Sequence, residues 1–393
     1  MKRNTCDVAI IGGGAAALMI AAKLCGRRAV LFEKNGRVGK KLLATGNGKC
    51  NLSAVDVAPE KYNNPEFVRG FLGRYGAEDA VCDFARFGLF TKQTEGRIYP
   101  YSECASSVLD ALRAAAVANG AEFLCDREVV GLAREKDGFT LRVEVKTEDG
   151  KQTEEYRARN VVLAGGSRAT FGTDSTSLFK ALGHKAKPFV PSLCPLKTDR
   201  ESVKGLSGIR VKCALTLAGR TEKGEVLFKD FGLSGIATFN LSAFVARGYA
   251  KVGDEIAINF MPEYSEHEVA EIFRKMNAEN TEKLLKGFFH SMVSQRIAER
   301  AGCKAGEKPD VERLARIVKN YKTVLKGLVD ESFAQVMSGG LDTDEFDGDL
   351  QSRLCKGAYA AGEILDVDGL CGGYNLQWAW TSATVVARAL SQK

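Results

Sequence analysis

Histidine and proline are scarce in this chain, which has only 3 His and 8 Pro among its 393 residues. His184, His267 and His290 stand in no motif, so the sequence disfavours serine-hydrolase and zinc chemistry, which depend on placed histidines. The eleven cysteines lie between Cys6 and Cys371 without a C-x-x-C pair. That absence argues against a zinc ribbon or a thioredoxin-type redox pair and favours free thiols in a reducing compartment. We therefore expect no bound metal.

The chain also lacks a hydrophobic run long enough to cross a membrane. The apolar run Val8–Ala22 follows the basic pair Lys2-Arg3 and so imitates a signal peptide, but Asp7 and the glycines Gly12–Gly14 argue against that interpretation. We expect a cytoplasmic protein with no membrane partner. The net charge of +7 permits an anionic ligand or nucleic acid without requiring either.

Glycine is abundant, with 41 residues and no low-complexity repeat. Such a content indicates many tight turns and close backbone approaches. Hydrophobic residues make up 45% of the chain and charged residues 27%, a balance that excludes collagen-like, coiled-coil and wholly disordered proteins. Because 393 residues are too many for one ordinary core, we expect two to three domains.

The order of apolar segments predicts an α/β fold. Asp7–Ile11 is a β-branched run typical of a buried strand, Ala15–Cys25 is typical of a helix, and Ala29–Phe32 is a second strand. This β-α-β order predicts a parallel sheet of the Rossmann type. Farther on, Phe139–Val145 alternates and runs into Glu148-Asp149-Gly150, which predicts a hairpin.

A change of pattern after Pro188 predicts an insertion in this sheet domain. Val211–Leu217 and Glu255–Phe260 alternate like strands of a small antiparallel unit, and the stretch from Ser265 to about Gln335 has a helical, highly charged composition. The chain then returns to glycine-rich apolar sequence. We predict a Rossmann-like sheet domain in residues 1–188 and 339–393, interrupted by a β-plus-helical, substrate-side domain in residues 189–338.

A dinucleotide-binding fingerprint lies between the first strand and the first helix. It reads Gly12-x-Gly14-x-x-Ala17, and Glu33 follows Gly12 by 21 residues at the end of the next strand. In this context Gly12 allows the sharp turn, Gly14 lets the backbone approach a pyrophosphate, and the helix N-terminus faces the phosphate charge. Glu33 is placed to accept hydrogen bonds from ribose hydroxyls. A glycine-rich turn without a ligand is the alternative, which the strand, helix and acid together disfavour.

The next loops favour FAD over NAD as the dinucleotide. Glu33–Lys41 continues into Thr45–Asn51, a second loop rich in glycine and basic residues. The first 60 residues carry ten Lys and Arg against four Asp and Glu, so positive charge gathers where a pyrophosphate would lie. Because an extended cofactor needs many backbone donors, these loops suit FAD better than NAD.

The C-terminal segment supplies a second half for such a site. Tyr359–Glu363 is predicted to be a strand ending in a turn, and Gly372–Trp378 opens a helix that runs to about Ala389. The exposed amides of that helix suit the N1–C2=O edge of an isoalloxazine, which becomes negative on reduction. The complete set of predicted cofactor-binding residues is Gly12, Gly14, Ala15, Ala16, Glu33, Lys34, Gly39, Lys40, Lys41, Thr45, Gly46, Asn47, Gly48, Asn51, Gly165, Gly362, Glu363, Gly373, Asn375 and Leu376.

With these motifs the chain resembles the BaiN/YhiN-like FAD-dependent oxidoreductases over nearly its whole length. The resemblance is carried by Ile10–Ala17, Gly39–Lys41, Thr45–Ser53, Gly96–Ser102, Gly232–Gly235, Ala361–Gly369 and Gly373–Trp380. It implies one FAD, a glutathione-reductase-like FAD domain with an inserted region, and reductase chemistry. The family names range over bile-acid ene reduction, amine oxidation and ribosomal-RNA dihydrouridine formation.

One departure from this family affects the expected chemistry. Members often carry a histidine shortly before Gly-Leu-Ser-Gly and a proline just after it, but here those places hold Asp230 and Ile236. A catalytic role borrowed from that histidine does not transfer to this chain.

The favoured reaction is FAD-dependent reduction of a conjugated C=C bond in a small, enone or steroid-like molecule. Flavin gives hydride, and a nearby acid must give the proton. The candidate acids are Tyr101, Tyr374, Cys371 and Cys194, each of which also suits a packing role. Gly165-Gly166-Ser167 follows a strand but lacks the fingerprint spacing, so NAD(P)H is expected as a transient electron donor without a Rossmann domain of its own.

Three alternatives stay open at this point. From Ser265 to Lys326 the chain has 13 Lys and Arg and 9 Asp and Glu, a charge that suits contacts with RNA phosphates in a uridine-modifying enzyme. A solvated helix face explains the same charges and is favoured, because so many acids accompany the bases. Amine oxidation is not distinguished from ene reduction. A redox sensor that holds FAD without turnover is the remaining alternative.

Overall fold

The computed structural model describes residues 4–147, 150–169 and 174–392. These residues form two compact units. The sheet unit runs up to Val190 and resumes at Gln335, and the barrel unit runs from Pro191 to Ala334. The predicted domain boundaries at residues 188 and 338 lie within a few residues of these limits. That the two units are separate domains stays a prediction.

The strands of the described residues are numbered in chain order. They are β1 (Thr5–Ile11), β2 (Ala29–Phe32), β3 (Ser53–Ala54), β4 (Thr91–Thr94), β5 (Arg97–Pro100), β6 (Glu122–Leu124), β7 (Arg127–Glu135), β8 (Gly138–Thr147), β9 (Gly150–Leu163), β10 (Ala186–Ser192), β11 (Leu196–Thr198), β12 (Arg210–Leu217), β13 (Arg220–Lys229), β14 (Gly232–Ser234), β15 (Glu255–Asn259), β16 (Tyr321–Leu328), β17 (Val336–Leu341) and β18 (Ala358–Ala360).

The α-helices are numbered in the same way. They are α1 (Ala15–Lys23), α2 (Lys40–Ala44), α3 (Pro65–Leu72), α4 (Ala77–Arg86), α5 (Ala105–Ala118), α6 (Thr176–Lys180), α7 (Arg200–Val203), α8 (Ile236–Ala246), α9 (Glu266–Met276), α10 (Thr281–Lys286), α11 (Ser291–Ala301), α12 (Val311–Lys319) and α13 (Tyr374–Ser391).

The sheet unit is built on a seven-stranded sheet in the order β6-β2-β1-β9-β8-β7, with β18 also paired to β9. The pairs β2–β6, β1–β2, β1–β9 and β9–β18 are parallel, as the predicted β-α-β order requires. Val8–Ile11 and Ala29–Phe32 are almost fully buried, which explains why these strands read as continuous apolar runs. The long α13 carries two fully buried tryptophans, Trp378 and Trp380.

The other edge of this sheet is antiparallel. β8 pairs with β7 on one side and with β9 on the other, and Thr147 lies opposite Gly150. The predicted hairpin turn at Glu148 and Asp149 lies outside the described residues. β9 is long enough to pair with β8 near its start and with β1 and β18 near its end.

The barrel unit is a closed barrel in the order β11-β14-β13-β12-β15-β16 with helices packed around it. One element differs from the sequence prediction, because the helical stretch expected to reach Gln335 ends with α12 at Lys319. β16 follows and closes the barrel between β11 and β15. Its buried residues Tyr321, Thr323 and Leu325 alternate with the less buried Lys322, Val324 and Lys326. A count of charges does not distinguish this two-residue period from the period of a helix.

All eleven cysteines are free. Within the described ranges, no helix combines the length and the apolar character that crossing a bilayer requires.

Candidate cofactor site

A cavity of about 420 Å³ opens in the sheet unit at the carboxyl ends of its parallel strands. Ile11 at the end of β1, Phe32 at the end of β2, Ala164 after β9 and Ala361 after β18 all line it. Ligands of open α/β sheets bind at this edge, because the loops that follow neighbouring strands converge there. The volume lies within the range of known cofactor and ligand sites, roughly 300 to 1,000 Å³.

The fingerprint turn forms one wall of the cavity. Gly12 has φ +111°, and a Cβ there would lie 2.5 Å from the carbonyl oxygen of Ala164. Only glycine fits this approach of the turn to the strand beside it. Gly39 supports the turn from outside the cavity, since its amide donates to the carbonyl oxygen of Gly13 at 2.7 Å.

The N-terminus of α1 faces the cavity with free amides. Gly14 is the N-cap, no side chain caps it, and no acidic residue lies in the first turn. A Cβ added to Gly14 would meet nothing within 4 Å, so the space before it is open. Uncapped amides and the helix dipole together attract a phosphate group.

Glu33 lies at the end of β2 and is almost fully buried. Its Oε1 accepts from the backbone amide of Asn35 at 2.8 Å and from the Asn35 side chain. Its Oε2 faces Gly13, where a Cβ would approach to 2.6 Å. The carboxylate is thus held in place by Asn35 and lines the cavity, as an acceptor for ribose hydroxyls must.

An ion pair joins the two segments of the sheet unit inside the cavity. Lys41 Nζ lies 2.6 Å from Glu363 Oε2, and the Ser167 hydroxyl donates to Glu363 Oε1 at 2.7 Å. The amide of Met337 also donates to Glu363 Oε1, at 3.0 Å. Glu363 therefore ties α2, the loop after β9 and the start of β17 to the turn after β18.

The N-terminus of α13 reaches the cavity from the C-terminal segment. Gly373 is its N-cap at φ +102°, and a Cβ there would lie 2.7 Å from the backbone carbonyl carbon of Ser53. No side chain caps the helix and its first turn has no acidic residue. Asn375 and Leu376 line the cavity, and the Asn375 side chain is held by the backbone of Gly369 at 2.8 and 2.9 Å.

The structure places most of the predicted cofactor-binding residues around this cavity. Those that line it are Gly12, Gly14, Ala15, Ala16, Glu33, Lys34, Lys40, Lys41, Thr45, Gly165, Gly362, Glu363, Asn375 and Leu376. Those that do not line it are Gly39, Gly46, Asn47, Gly48, Asn51 and Gly373. Gly39 and Gly373 instead shape the turns beside it.

The loop Thr45–Asn51 contributes less to the lining than the sequence predicts, since Thr45 is its one lining residue among those described. Gly46 and Asn47 turn the chain away through left-handed backbone at φ +57° and +55°. The Oδ1 atom of Asn51 is buried and has no hydrogen-bond partner in the described part of the chain.

Sequence reasoning missed several lining residues. Arg127–Val130 at the start of β7 line the cavity beside Glu33, and Gln335 and Val336 line it from the start of β17. None of these stands in a glycine motif. Asp174, Ser175, Ser177 and Leu178 also line it.

None of the four candidate proton donors lines the cavity formed by the described residues. Tyr101 is exposed and packs edge-to-face on Phe90. The Tyr374 hydroxyl donates to Asp56 at 2.8 Å, and burial raises the pKa of Tyr374. Cys371 lies two residues before the N-cap of α13, and burial raises the pKa of its thiol. Cys194 is buried in the barrel unit.

These features fit FAD. The cavity offers two uncapped helix N-termini for anionic groups, an anchored carboxylate for ribose and a glycine turn that admits close backbone contact. Across the described ranges, no three His, Cys, Asp or Glu side chains are grouped so that they could hold a metal ion.

Sequence comparison finds a family and several relatives that match this chain over nearly its whole length. The model of the family described as HI0933-like protein Rossmann domain matches residues 6–389. A 3-dehydro-bile acid delta(4,6)-reductase of Clostridium scindens is 34% identical to this chain, and the match covers 98% of this chain and 99% of the relative. Ribosomal RNA dihydrouridine synthases of Haemophilus influenzae and Escherichia coli are 29% and 28% identical, each over 98% of both chains.

Two solved structures share the fold. A 3-ketosteroid-delta4-(5alpha)-dehydrogenase of Rhodococcus jostii RHA1 has a TM-score of 0.54 at 14% identity and covers 99% of this chain and 97% of its own. A 3-ketosteroid delta1-dehydrogenase of Sterolibacterium denitrificans has a TM-score of 0.53 at 13% identity, with 99% and 100% covered. At these identities the likeness concerns the fold alone, and it confirms the predicted Rossmann-type α/β class with an additional sheet.

Proposed function

This chain belongs to the HI0933-like Rossmann family, and from that premise we propose that it is an FAD-dependent reductase of a conjugated C=C bond in a small, steroid-like enone. The family match confirms the resemblance predicted from the motifs, and the reductase and synthase names of its relatives identify the chain as an oxidoreductase enzyme. The observation that carries the substrate class is the full-length match to a bile acid reductase at 34% identity.

The cavity residues have defined roles in this proposal. The amides at the start of α1 would hold the pyrophosphate, Glu33 would hold the ribose of the adenosine, and the start of α13 would hold the flavin ring. FAD, when bound, supplies the two electrons for reduction of the double bond. The chain must hold the substrate and supply a proton to the neighbouring carbon.

We assign that proton to Cys371. Its thiol has a pKa raised by burial, so it keeps its proton at neutral pH, and it lies just before the helix start that lines the cavity. Tyr374, whose hydroxyl donates to Asp56 at 2.8 Å, is the second candidate. Tyr101 is exposed and Cys194 belongs to the barrel unit, so substitutions at these two positions serve as controls for the proton donor.

The electron source in this proposal is NAD(P)H, which binds transiently. The test is anaerobic reduction of the FAD-loaded protein by NADPH or NADH, followed by re-oxidation with a panel of steroid and simple enones. The expected result is fast flavin re-oxidation by an enone, with the saturated product identified by mass spectrometry. Re-oxidation by no enone, together with rapid re-oxidation by ribosomal RNA or by an aminoketone, would reject ene reduction.

A second candidate function has support of its own. Two relatives that match this chain over nearly its whole length are named ribosomal RNA dihydrouridine synthases. The bond reduced in a uracil ring is also a C=C bond conjugated to a carbonyl group, so one active site chemistry serves both substrates. Dihydrouridine formed in unmodified ribosomal RNA after incubation with the reduced protein would favour this candidate over the small-molecule reductase.

A further inference from the structure

A second recess lies in the barrel unit, and it shares no lining residue with the cofactor cavity. It is lined by Lys197, Thr198, Asp199, Arg200, Phe231 and Lys326. We propose that this recess binds the phosphate group of a nucleotide and packs the nucleotide base on Phe231.

The recess has a net positive charge, because three cations and one carboxylate line it. Lys197, Arg200 and Lys326 are exposed, and no carboxylate of the described residues lies within ion-pair distance of any of them. Most other lysines and arginines on the helices of this unit do have such partners, for example Lys283 and Lys286. Three cations left without partners around one concavity form a site for an anion.

The one carboxylate of the recess is already engaged. Asp199 Oδ1 accepts from the amide of Glu201 at 3.4 Å and caps the short helix α7. Near the recess, the positive charge of Lys197 contributes to lowering the pKa of Asp330, after the hydrogen bonds that Ser332 makes to that carboxyl. The recess therefore keeps an excess of two positive charges over its own lining residues.

A β-bulge brings one of these cations into the recess. Lys197 pairs with Gly327 and Thr198 pairs with Leu325, so Lys326 has no partner on β11. A bulge of this kind points a side chain in a different direction from the one that regular strand pairing would give it. Bulges are frequent beside functional sites. The irregularity in β16 thus places Lys326 together with Lys197 and Arg200.

The floor of the recess contains an unpartnered polar group. Thr198 is 3% exposed, and its hydroxyl oxygen has no hydrogen-bond partner in the described part of the chain. Buried hydroxyls are almost always paired in folded proteins, so this one indicates a missing partner.

The half-buried ring of Phe231 makes the site specific for a nucleotide. Its carbonyl oxygen accepts from the amide of Thr198 at 3.0 Å, which fixes the segment beside the cations. The following Gly232 has no room for a side chain, because a Cβ would lie 2.1 Å from the carbonyl oxygen of Leu196. An aromatic face next to a phosphate-binding cluster suits base stacking, and every base has a suitable face.

Two nucleotide sources share this chemistry, a free nicotinamide nucleotide and a single-stranded segment of RNA. The experiment measures binding to the FAD-loaded full chain of four probes, namely NADP⁺, NAD⁺, a labelled single-stranded RNA oligonucleotide and inorganic pyrophosphate. Oxidised coenzymes are used so that no turnover occurs. FAD content and Tm verify that each variant is folded, so the result is independent of whether the proposed reaction is correct.

The test variant replaces all three cations, Lys197→Ala with Arg200→Ala and Lys326→Ala. Its matched control replaces Lys212, Lys275 and Lys308 by Ala, three exposed lysines of the same unit for which the described residues offer no ion-pair partner. β12, which carries Lys212, lies across the barrel order from β11. We expect the test variant to bind a nucleotide probe at least ~10-fold more weakly than the control at low salt.

Salt dependence and Phe231→Leu sharpen the assignment. If RNA is the source, the slope of log affinity against log salt falls by about 2 in the test variant, since each phosphate contact with a single strand contributes roughly 0.7. If a coenzyme is the source, NADP⁺ or NAD⁺ loses affinity and RNA does not. Phe231→Leu should weaken nucleotide binding and leave pyrophosphate unchanged. Equal binding by test and control variants, or loss of pyrophosphate binding alone, would overturn the proposal.

Discussion

The cofactor cavity and the recess of the barrel unit bind their ligands with different parts of the chain. In the cavity, backbone amides and glycine turns face the ligand, and the charged side chains are anchored, Lys41 by Glu363 and Glu33 by Asn35. In the recess, long side chains without ion-pair partners among the described residues supply the attraction. A backbone-built site is sensitive to a single added methyl group, whereas a site of long side chains loses affinity in steps as charges are removed.

The largest expected effect comes from Gly12→Ala. The new Cβ would overlap the carbonyl oxygen of Ala164 and the backbone at φ +111° would be strained, so we expect a loss of about 3 kcal/mol of stability and of FAD binding. Gly14→Ala separates these effects, because its Cβ meets no protein atom and can collide only with the ligand. Flavin absorbance per chain and Tm are measured for both variants.

For comparison, Gly235→Ala places a Cβ 2.4 Å from the carbonyl oxygen of Glu225 in the barrel unit. It should lower Tm and leave the FAD content per folded chain unchanged. Normal FAD binding by Gly14→Ala would show that the backbone at α1 does not approach the pyrophosphate, and would remove the contrast between the two sites.

The second expected effect concerns the proton donor. Cys371→Ala should reduce kcat for enone reduction about 100-fold, the usual contribution of a positioned acid, with FAD content unchanged. Tyr101→Phe, at an exposed position, is the control and should leave kcat unchanged. Single-turnover re-oxidation of the reduced protein measures the step directly. Unchanged kcat in Cys371→Ala would assign the proton to another group.

A smaller effect is expected from Lys41→Met. Both partners of its ion pair are less than a third exposed, and among the described residues the change leaves Glu363 the Ser167 hydroxyl and the Met337 amide as donors. We expect FAD affinity to fall about 10-fold, corresponding to roughly 1.4 kcal/mol. Lys136→Met, at an exposed lysine in the turn between β7 and β8 that does not line the cavity, is the control. Equal affinities in the two variants would mean that the pair of Lys41 and Glu363 does not organise the cavity.

The smallest effect is a pH dependence confined to the sheet unit. His184 is buried, with Nδ1 2.9 Å from Glu345 Oε2 and Nε2 2.7 Å from the Ser352 hydroxyl, and burial lowers its pKa although Glu345 opposes the shift. Because the unfolded chain binds the proton more readily, the neutral ring stabilises the fold above about pH 6.5, and this stability is lost as pH falls below it.

Thermal unfolding between about pH 8 and about pH 5 measures this contribution. In His184→Gln the dependence should be flatter, and His267→Gln in the barrel unit, where the histidine is exposed, should keep that of the unaltered chain. The same slope in all three proteins would assign the acid sensitivity to other groups.

Local patterns in the sequence were sufficient to predict the first strand, the fingerprint turn, the first helix and Glu33, because these are consecutive in the chain and each has a steric or electrostatic reason. They were also sufficient to predict that Gly362, Asn375 and Leu376 lie near the fingerprint turn, where they line the same cavity. They were not sufficient for Arg127–Val130 or Gln335, which line the cavity only because of strand positions in the folded sheet.

The recess was beyond prediction for the same physical reason. Lys197, Phe231 and Lys326 are far apart in the chain, and the pairing of β11 with β14 and β16 brings them together. In the loop Thr45–Asn51, Gly46 and Asn47 turn the chain through left-handed backbone, and the predicted cofactor contacts of this loop stay a prediction. β16 was missed, because its lysines dominated a count of charges that ignores period.

The position of β18 has a consequence for biosynthesis. This strand pairs with β9 from beyond the inserted unit, and Gly362, Glu363 and α13 follow it. A nascent chain that has left the ribosome only as far as β16 contains every strand of the barrel but lacks one wall of the cofactor cavity. We therefore expect a chain terminated before β18 to remain without flavin, because Gly362, Glu363 and the start of α13 would be missing from the cavity wall.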